Sequence, residues 1–288
     1  MIKLIASDMD GTLLGSNHKI SKENLKAIKM AEEQGIDFAI VTGRKYEDVE
    51  PFLKESGLRC QCVVMNGAEY RDYDGSIIEK VYIDKIKARE VIDKVDKKGV
   101  ALQIYTNKGM WTTETKEQAL EDTAHMLEIF MNISFEEALK IAVDHPEYTE
   151  LNYIEDLDEF FNSDVEIAKF VAFYDSEETT NKVKKELSYI KGIAVSGSFK
   201  RNIEINNIEA QKGLILSKVA KKLGMKKEEV VVLGDSFNDY SMFKEFPISF
   251  AMGNAIDEIK EIAKYITDTN DNLGVAKAIY RVIEEQKK

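Results

Sequence analysis

The chain is poor in the residues that punctuate or staple a fold. Three prolines in 288 residues, and no stretch rich in proline or in glycine and serine, leave no sign of a long linker. The two cysteines, Cys60 and Cys62, stand in RCQCVV at the entry to an apolar run. A lone C-x-C lacks the second half of a zinc site, so both read as packing thiols. The three histidines, His18, His125 and His145, are too scattered for a charge relay or a zinc site. No apolar run approaches the roughly 18–20 residues of a membrane span, and no internal repeat recurs at a period of about 20–50 residues. The opening MIKLIASDMD meets an acid early and has no small-residue cleavage site, which predicts a cytoplasmic protein and no secretory signal. Positive charge is in deficit: 40 Lys and Arg against 52 Asp and Glu leave a net −12. That excess repels nucleic acid and anionic membrane, so neither is expected as a partner. A small anionic substrate stays possible where cations gather locally.

What is present is the material of a globular α/β chain. Hydrophobic residues make up 44%, with mixed charge, and the length suits two unequal domains. IKLIAS reads as a strand, and Leu25, Ile28 and Ala31 share one face of a helix with Ser21 as N-cap and Gly35 as stop. IDFAIVTGR, a helix-like stretch to Gly57, and CVVMNGA continue the alternation, which predicts a parallel sheet. From about 84 to 206 the rhythm changes. ALQIYT and MWTT suggest a hairpin about Asn107-Lys108-Gly109, residues 114–165 read as helices and connections, and AKFVAFY leads into the helical SEETTNKVKKEL. After Lys212 strand and helix alternate again through GLILSKVAKKLG, EEVVVLGD, ISFAMGN, AIDEIKEIAK and LGVAKAIYRVIEEQKK. The expected architecture is therefore α/β: a Rossmann-like, doubly wound parallel sheet formed by 1–83 and 207–288, split by an inserted α+β domain over 84–206.

Ligands in a parallel sheet sit beyond the carboxyl ends of the strands, so the polar residues ending each apolar run are the candidates. They are Asp8 and Asp10, then Thr42, then Asn66, then Asp235. On an extended strand Asp8 and Asp10 would point the same way about 7 Å apart, and Gly11 would let the chain turn its N–H groups toward an anion. Two close carboxylates call for a cation or a shared proton. GDSFND at 234–239 adds Asp235 and Asp239, and an all-oxygen cluster beside a phosphate suits Mg²⁺.

DMDGTL at 8–13, VTGR at 41–44, NGA at 66–68, QKG at 211–213 and GDSFND at 234–239, in this order with an insertion after the third, resemble the haloacid dehalogenase superfamily. Within it the Cof-type phosphatases with a type IIB cap are the nearest likeness. MGNA at 252–255 and the terminal LGVAKAI extend the resemblance over the whole chain. The resemblance implies a Mg²⁺-dependent phosphatase acting on a small phosphate monoester, such as a sugar phosphate or phosphorylated cofactor. Asp8 would be the nucleophile that forms an aspartyl-phosphate, and Asp10 the acid and then the base. Mg²⁺ would be held by Asp8, the Asp10 carbonyl and Asp235, with Asn238 and Asp239 as ligands or supports. Gly11, Thr42, Gly43, Arg44, Asn66 and Lys212 would line the phosphate side, Lys212 as a point charge. The inserted domain would act as a lid.

Other readings remain open at this stage. A phosphomutase of similar architecture would return the phosphoryl group to a sugar. A phosphoacceptor module of the receiver kind also combines aspartates, a lysine and Mg²⁺, but lacks DxDGT and an insertion. A degenerate sensing member of the family is a further alternative, although the site motifs are intact. Nothing in the sequence requires more than a monomer, and Tyr105, Asn107 and Trp111 are surface candidates whose simpler role is packing.

Overall fold

The computed structural model describes residues 1–96, 102–174 and 176–287. They divide into two compact units, Met1–Lys80 with Ala210–Lys288, and Val81–Glu209. The expected division at 83/84 and 206/207 lies a few residues inside the second unit. The reason is strand pairing: Ile83 N donates to Ile167 O at 2.8 Å and Asn207 Nδ2 to Tyr82 O at 2.8 Å, so both ends are tied to the inserted sheet.

In chain order the strands are β1 (Leu4–Ser7), β2 (Asp37–Val41), β3 (Gln61–Val64), β4 (Glu69–Arg71), β5 (Ile77–Lys80), β6 (Gln103–Thr106), β7 (Gly109–Thr112), β8 (Asn152–Tyr153), β9 (Ile167–Phe173), β10 (Ile193–Ser196), β11 (Asn202–Asn207), β12 (Val230–Gly234), β13 (Ile248–Ala251) and β14 (Tyr265–Ile266). Among the described residues the first unit holds an eight-stranded sheet, ordered β14-β13-β12-β1-β2-β3-β4-β5. The run from β14 to β3 is parallel and the last two strands are antiparallel. Numbered by chain order, the parallel strands run 6-5-4-1-2-3. The chain thus steps outward one way from β1 and the other way from β12. With crossovers of the usual right hand, this order places helices on both faces, which is the doubly wound arrangement the alternation predicted. The switch in direction falls between β1 and β12. These strands are continuous apolar runs because both faces are covered: all four residues of β1 and all five of β12 are buried.

Helix ends follow their caps. Ser21 Oγ accepts from Asn24 N at 3.0 Å to open Lys22–Glu32, and Gly57 closes Tyr46–Ser56 in the left-handed region at φ 68°. Cys60 and Cys62 are free and buried.

The second unit is α+β. Its six described strands run β10-β11-β9-β6-β7-β8, mainly antiparallel, and the β6–β7 hairpin turns at Asn107-Lys108-Gly109. One face packs Ile104, Phe170, Ile203 and Ile205 with the helix Glu177–Leu187, while Val171 and Phe173 pack with Lys116–Met131 and Phe135–Ala142. Trp111 lies against Phe160 with ring centroids 5.4 Å apart and so packs in this unit, while the exposed Asn107 ties its turn to the neighbouring strand by accepting from Glu166 N with Oδ1. Ala101, at the start of the expected ALQIYT strand, lies outside the described residues. Among the described residues no helix is long and apolar enough to cross a membrane.

Candidate active site

Four parallel strands, β12, β1, β2 and β3, end side by side, and the residues just beyond them meet. The turn after β1 spans Met9–Leu13 and is closed by Leu13 N to Asp8 O at 3.2 Å and Leu14 N to Met9 O at 2.8 Å. β1 ends at Ser7, so the extended spacing expected for Asp8 and Asp10 does not apply, and the two carboxylates take different partners. Met9 between them is fully buried, as its apolar side chain requires. Gly11 has φ 70°, and a Cβ there would collide with the Asp235 carboxylate. Only glycine meets both the conformation and the approach.

Asp8 Oδ1 accepts from Met9 N at 2.7 Å and stands 2.9 Å from Lys212 Nζ. Lys212 is the first residue of the helix Lys212–Lys222 and is completely buried, and its Nζ also bonds Asp239 Oδ1 at 2.7 Å. Asp239 Oδ2 in turn accepts from Asp235 N at 2.8 Å and Ser236 N at 3.0 Å. It is thus the brace of its own loop. Thr12 Oγ1 donates to Asp235 Oδ1 at 2.7 Å. Asp8, Asp235 and Asp239 each offer a carboxylate oxygen, all within 4.8 Å of one another.

Electrostatics show what the group lacks. Burial, then repulsion from Asp239, pushes the Asp8 carboxyl well above its usual range, while Lys212 pulls it down. Burial and Asp239 lift Asp235 to about 7, against the hydrogen bond from Thr12. Burial alone would lower Lys212, but attraction to Asp239 and then Asp8 raises it, so the ammonium stays charged. Three carboxylates facing one ammonium are under-neutralised, and a divalent cation with hard oxygen ligands would meet that deficit.

Of the expected phosphate-side residues, Thr42 is buried at the end of β2, and its Oγ1 accepts from Arg44 N at 3.2 Å. Arg44 does not stand open to an anion. Its Nε and Nη2 form a fork on Asp10, at 2.8 and 2.6 Å to the two oxygens, and its guanidinium lies 5.1 Å from the Phe52 ring centroid. Asp10 is therefore outside the carboxylate group that Asp8, Asp235 and Asp239 form. Met65 and Asn66 follow β3 in the left-handed region, at φ 49° and 58°, with Met65 N on Arg44 O and Asn66 N on Thr42 O. Asn66 Oδ1 accepts from Asn238 Nδ2 at 3.3 Å, so the loops after β3 and β12 are linked there. Gly43 sits between Thr42 and Arg44 in the same loop. Thr12, which the sequence reading places with Gly11 in the turn that receives phosphate, and Asn254, whose Nδ2 donates to Gly11 O at 2.8 Å and to which that reading gives no role, hold the site together. The signal for Asn254 was adjacency, since it lies inside a quoted motif.

Known proteins resemble this chain along its length. The family model described as haloacid dehalogenase-like hydrolase matches residues 5–279. The phosphatase YwpJ of Bacillus subtilis (strain 168) is 31% identical over 281 residues, covering 96% of this chain and 98% of the relative. A second protein of that organism, the 5-amino-6-(5-phospho-D-ribitylamino)uracil phosphatase YcsE, is 34% identical over 278 residues, covering 96% and 94%. Among solved structures, a haloacid dehalogenase-like hydrolase from B. subtilis superposes with a TM-score of 0.84 at 29% identity, over 98% of this chain and 100% of that one.

Proposed function

The chain belongs to the haloacid dehalogenase-like hydrolases and is a phosphoric monoester hydrolase, and from that premise we propose that it is a Mg²⁺-dependent phosphatase for a small organic phosphate, working through an aspartyl-phosphate. The observation that carries this reading is the buried Asp8–Lys212–Asp239 arrangement beside Asp235. Its carboxylates are short of positive charge at the end of the strands where the sheet switches direction.

Asp8, the Asp10 carbonyl and Asp235 would hold Mg²⁺, with Asn238 and Asp239 supporting the Asp235 loop. Bound there, the ion would neutralise the carboxylates and polarise the phosphoryl oxygens. Asp8 Oδ1 accepts from Met9 N and stands beside Lys212, which favours the other oxygen, Oδ2, for the attack on phosphorus. The new Asp8 O–P bond forms as the bond to the leaving oxygen breaks, and Asp10 passes a proton to that oxygen. A water then attacks the aspartyl-phosphate phosphorus, Asp10 takes the water's proton, and Asp8 and inorganic phosphate are released. For either proton step the Arg44 fork on Asp10 has to open. Arg44 would then be free to hold a phosphoryl oxygen. Thr42 Oγ1 accepts from Arg44 N, and its hydroxyl would donate to a phosphoryl oxygen. Lys212 opposes the charge that builds up on the transferring group. A polyol phosphate is the first substrate class to try, because YcsE, by its name, acts on a phosphoribityl compound.

The test is phosphate release from p-nitrophenyl phosphate and a panel of sugar and cofactor phosphates, with Mg²⁺ or with EDTA. Turnover in Mg²⁺ that both EDTA and Asp8→Asn abolish is the expected result. Turnover that survives Asp8→Asn would remove Asp8 as nucleophile and with it the mechanism.

A further inference from the structure

The MGNA segment at 252–255 has no part in the chemistry above, yet it touches both acidic loops. It leaves β13 beside β12, and its backbone brackets the start of the β12 loop: Met252 N donates to Gly234 O at 3.1 Å and Ile256 N to Asp235 O at 3.0 Å. Between these ties the Asn254 side chain reaches the other way. Its Nδ2 donates to Gly11 O at 2.8 Å and its Oδ1 accepts from Asn270 N at 3.0 Å. Gly253 makes this course possible by lying flat on neighbouring backbone: its N donates to Asp268 O, and a Cβ there would come within 2.9 Å of Thr269 N. The position uses one donor and one acceptor on a single planar group, which an amide supplies and a carboxylate does not.

The carbonyl it grips belongs to the turn that follows the nucleophile. C=O and N–H of a trans peptide point in opposite directions, so drawing Gly11 O toward Asn254 aims Thr12 N–H away from it. Gly11 is also pressed against Asp235, and Thr12 Oγ1 donates to Asp235 Oδ1. The Gly11–Thr12 peptide is thus clamped between Asn254 and Asp235, next to the Asp10 carbonyl. Further along the same loop other anchors act: Asn270 Nδ2 on Leu14 O at 2.9 Å, and Asp271 Oδ1 taking Ser16 N at 2.7 Å. Those restrain the exit of the loop, whereas Asn254 restrains the peptide beside the reacting group.

We propose that Asn254 is a positioning residue for phosphoryl transfer, whose side-chain amide sets the orientation of the Gly11–Thr12 peptide and so of the backbone that meets the transferring group. The inference rests on the phosphatase reading. It is tested with native protein, Asn254→Ala, Asn254→Asp (which keeps the acceptor for Asn270 N) and Asp271→Ala. Each is measured for steady-state turnover of p-nitrophenyl phosphate in Mg²⁺, for thermal midpoint, and by calorimetric titration with orthovanadate, a mimic of the transition state.

Both Asn254 variants should lose about tenfold or more in kcat while KM moves less than about threefold, because misplacement is felt mainly in the transition state. Vanadate affinity should fall in parallel, and Asp271→Ala should match the native kcat. Native-like kcat in both Asn254 variants would overturn the proposal. So would a loss carried by KM alone, an equal loss in Asp271→Ala, or a loss that follows the thermal midpoint. If the native protein releases no phosphate, the phosphatase reading fails by itself; vanadate then decides the positioning role, upheld if Asn254→Ala binds it more weakly and overturned if the two bind alike.

Discussion

Thr12 is completely buried and spends its hydroxyl on Asp235 Oδ1 at 2.7 Å. That bond is one of the forces keeping the Asp235 carboxyl from rising further than about 7. Thr12→Val keeps the shape and removes the donor, so Asp235 should become a poorer metal ligand. The expected result is an activity loss of about 10- to 100-fold at low Mg²⁺, typical of residues that orient a ligand, with part of it recovered as Mg²⁺ is raised. Activity plotted against Mg²⁺ concentration measures it, and an unchanged half-saturation point would remove Thr12 from that role. Lys212 differs in kind because its loss also leaves buried carboxylates uncompensated. Lys212→Met should abolish turnover and cost on the order of 3–5 kcal/mol of stability, as breaking a buried charge group does; denaturant unfolding without metal reads this directly. The meeting of Asp8, Asp235, Asp239 and Lys212 was legible from sequence because the motifs place acids and a lysine at strand and helix ends. The Arg44–Asp10 fork was not, since it joins residues 34 apart whose meeting depends on how the β1 and β2 loops lie together.

At the level of elements, Gly213 shows why the helix bearing Lys212 sits where it does. A Cβ on Gly213 would run into the backbone of Ser241, so Lys212–Lys222 and Tyr240–Glu245 pack backbone against backbone. Gly213→Ala gains helix propensity in principle, by about 0.5–1 kcal/mol, but has to push the two helices apart. Overpacking of that kind costs about 1–3 kcal/mol, so the net expectation is a lower thermal midpoint. Because Lys212 Nζ must bridge Asp8 and Asp239, activity should fall as well, and calorimetry with a turnover assay on the same sample checks both. The parallel strands were readable as apolar runs between helical periodicities. The β4–β5 hairpin was not drawn from the sequence, although Asp74-Gly75 marks its turn, because EYR and IIEK are short and β5 is largely exposed. β14, only two residues long, has no periodicity to read and exists through its pairing with β13.

For the whole molecule the governing fact is excess acid, a net −12, and part of it is half-buried in the inserted unit. Burial, then repulsion from Asp122, lifts Glu114 from an ordinary 4.5 to about 9. Burial lifts Asp122 from 3.8 to about 7, a hydrogen bond with Glu114 opposing the rise. Glu114 Oε1 is buried without a hydrogen-bond partner among the described residues. Folding therefore holds protons that the unfolded chain releases at lower pH. The sign follows: no penalty applies below about pH 4, where both states are protonated. Stability then falls as pH climbs from there through about 7 to about 9, and the contribution is constant above that. General repulsion among the surplus carboxylates has the same sign but varies little once all exposed ones are ionised. Asp8 and Asp235, both raised by burial, would add a loss of the same sign in EDTA, so the measurement belongs in saturating Mg²⁺. Thermal midpoints of native protein should drop from pH 5 to pH 9, and Glu114→Gln with Asp122→Asn should flatten that slope by supplying neutral amides at both positions. A double variant as steep as native would place the pH sensitivity outside the inserted unit's half-buried pair, in the surface charge.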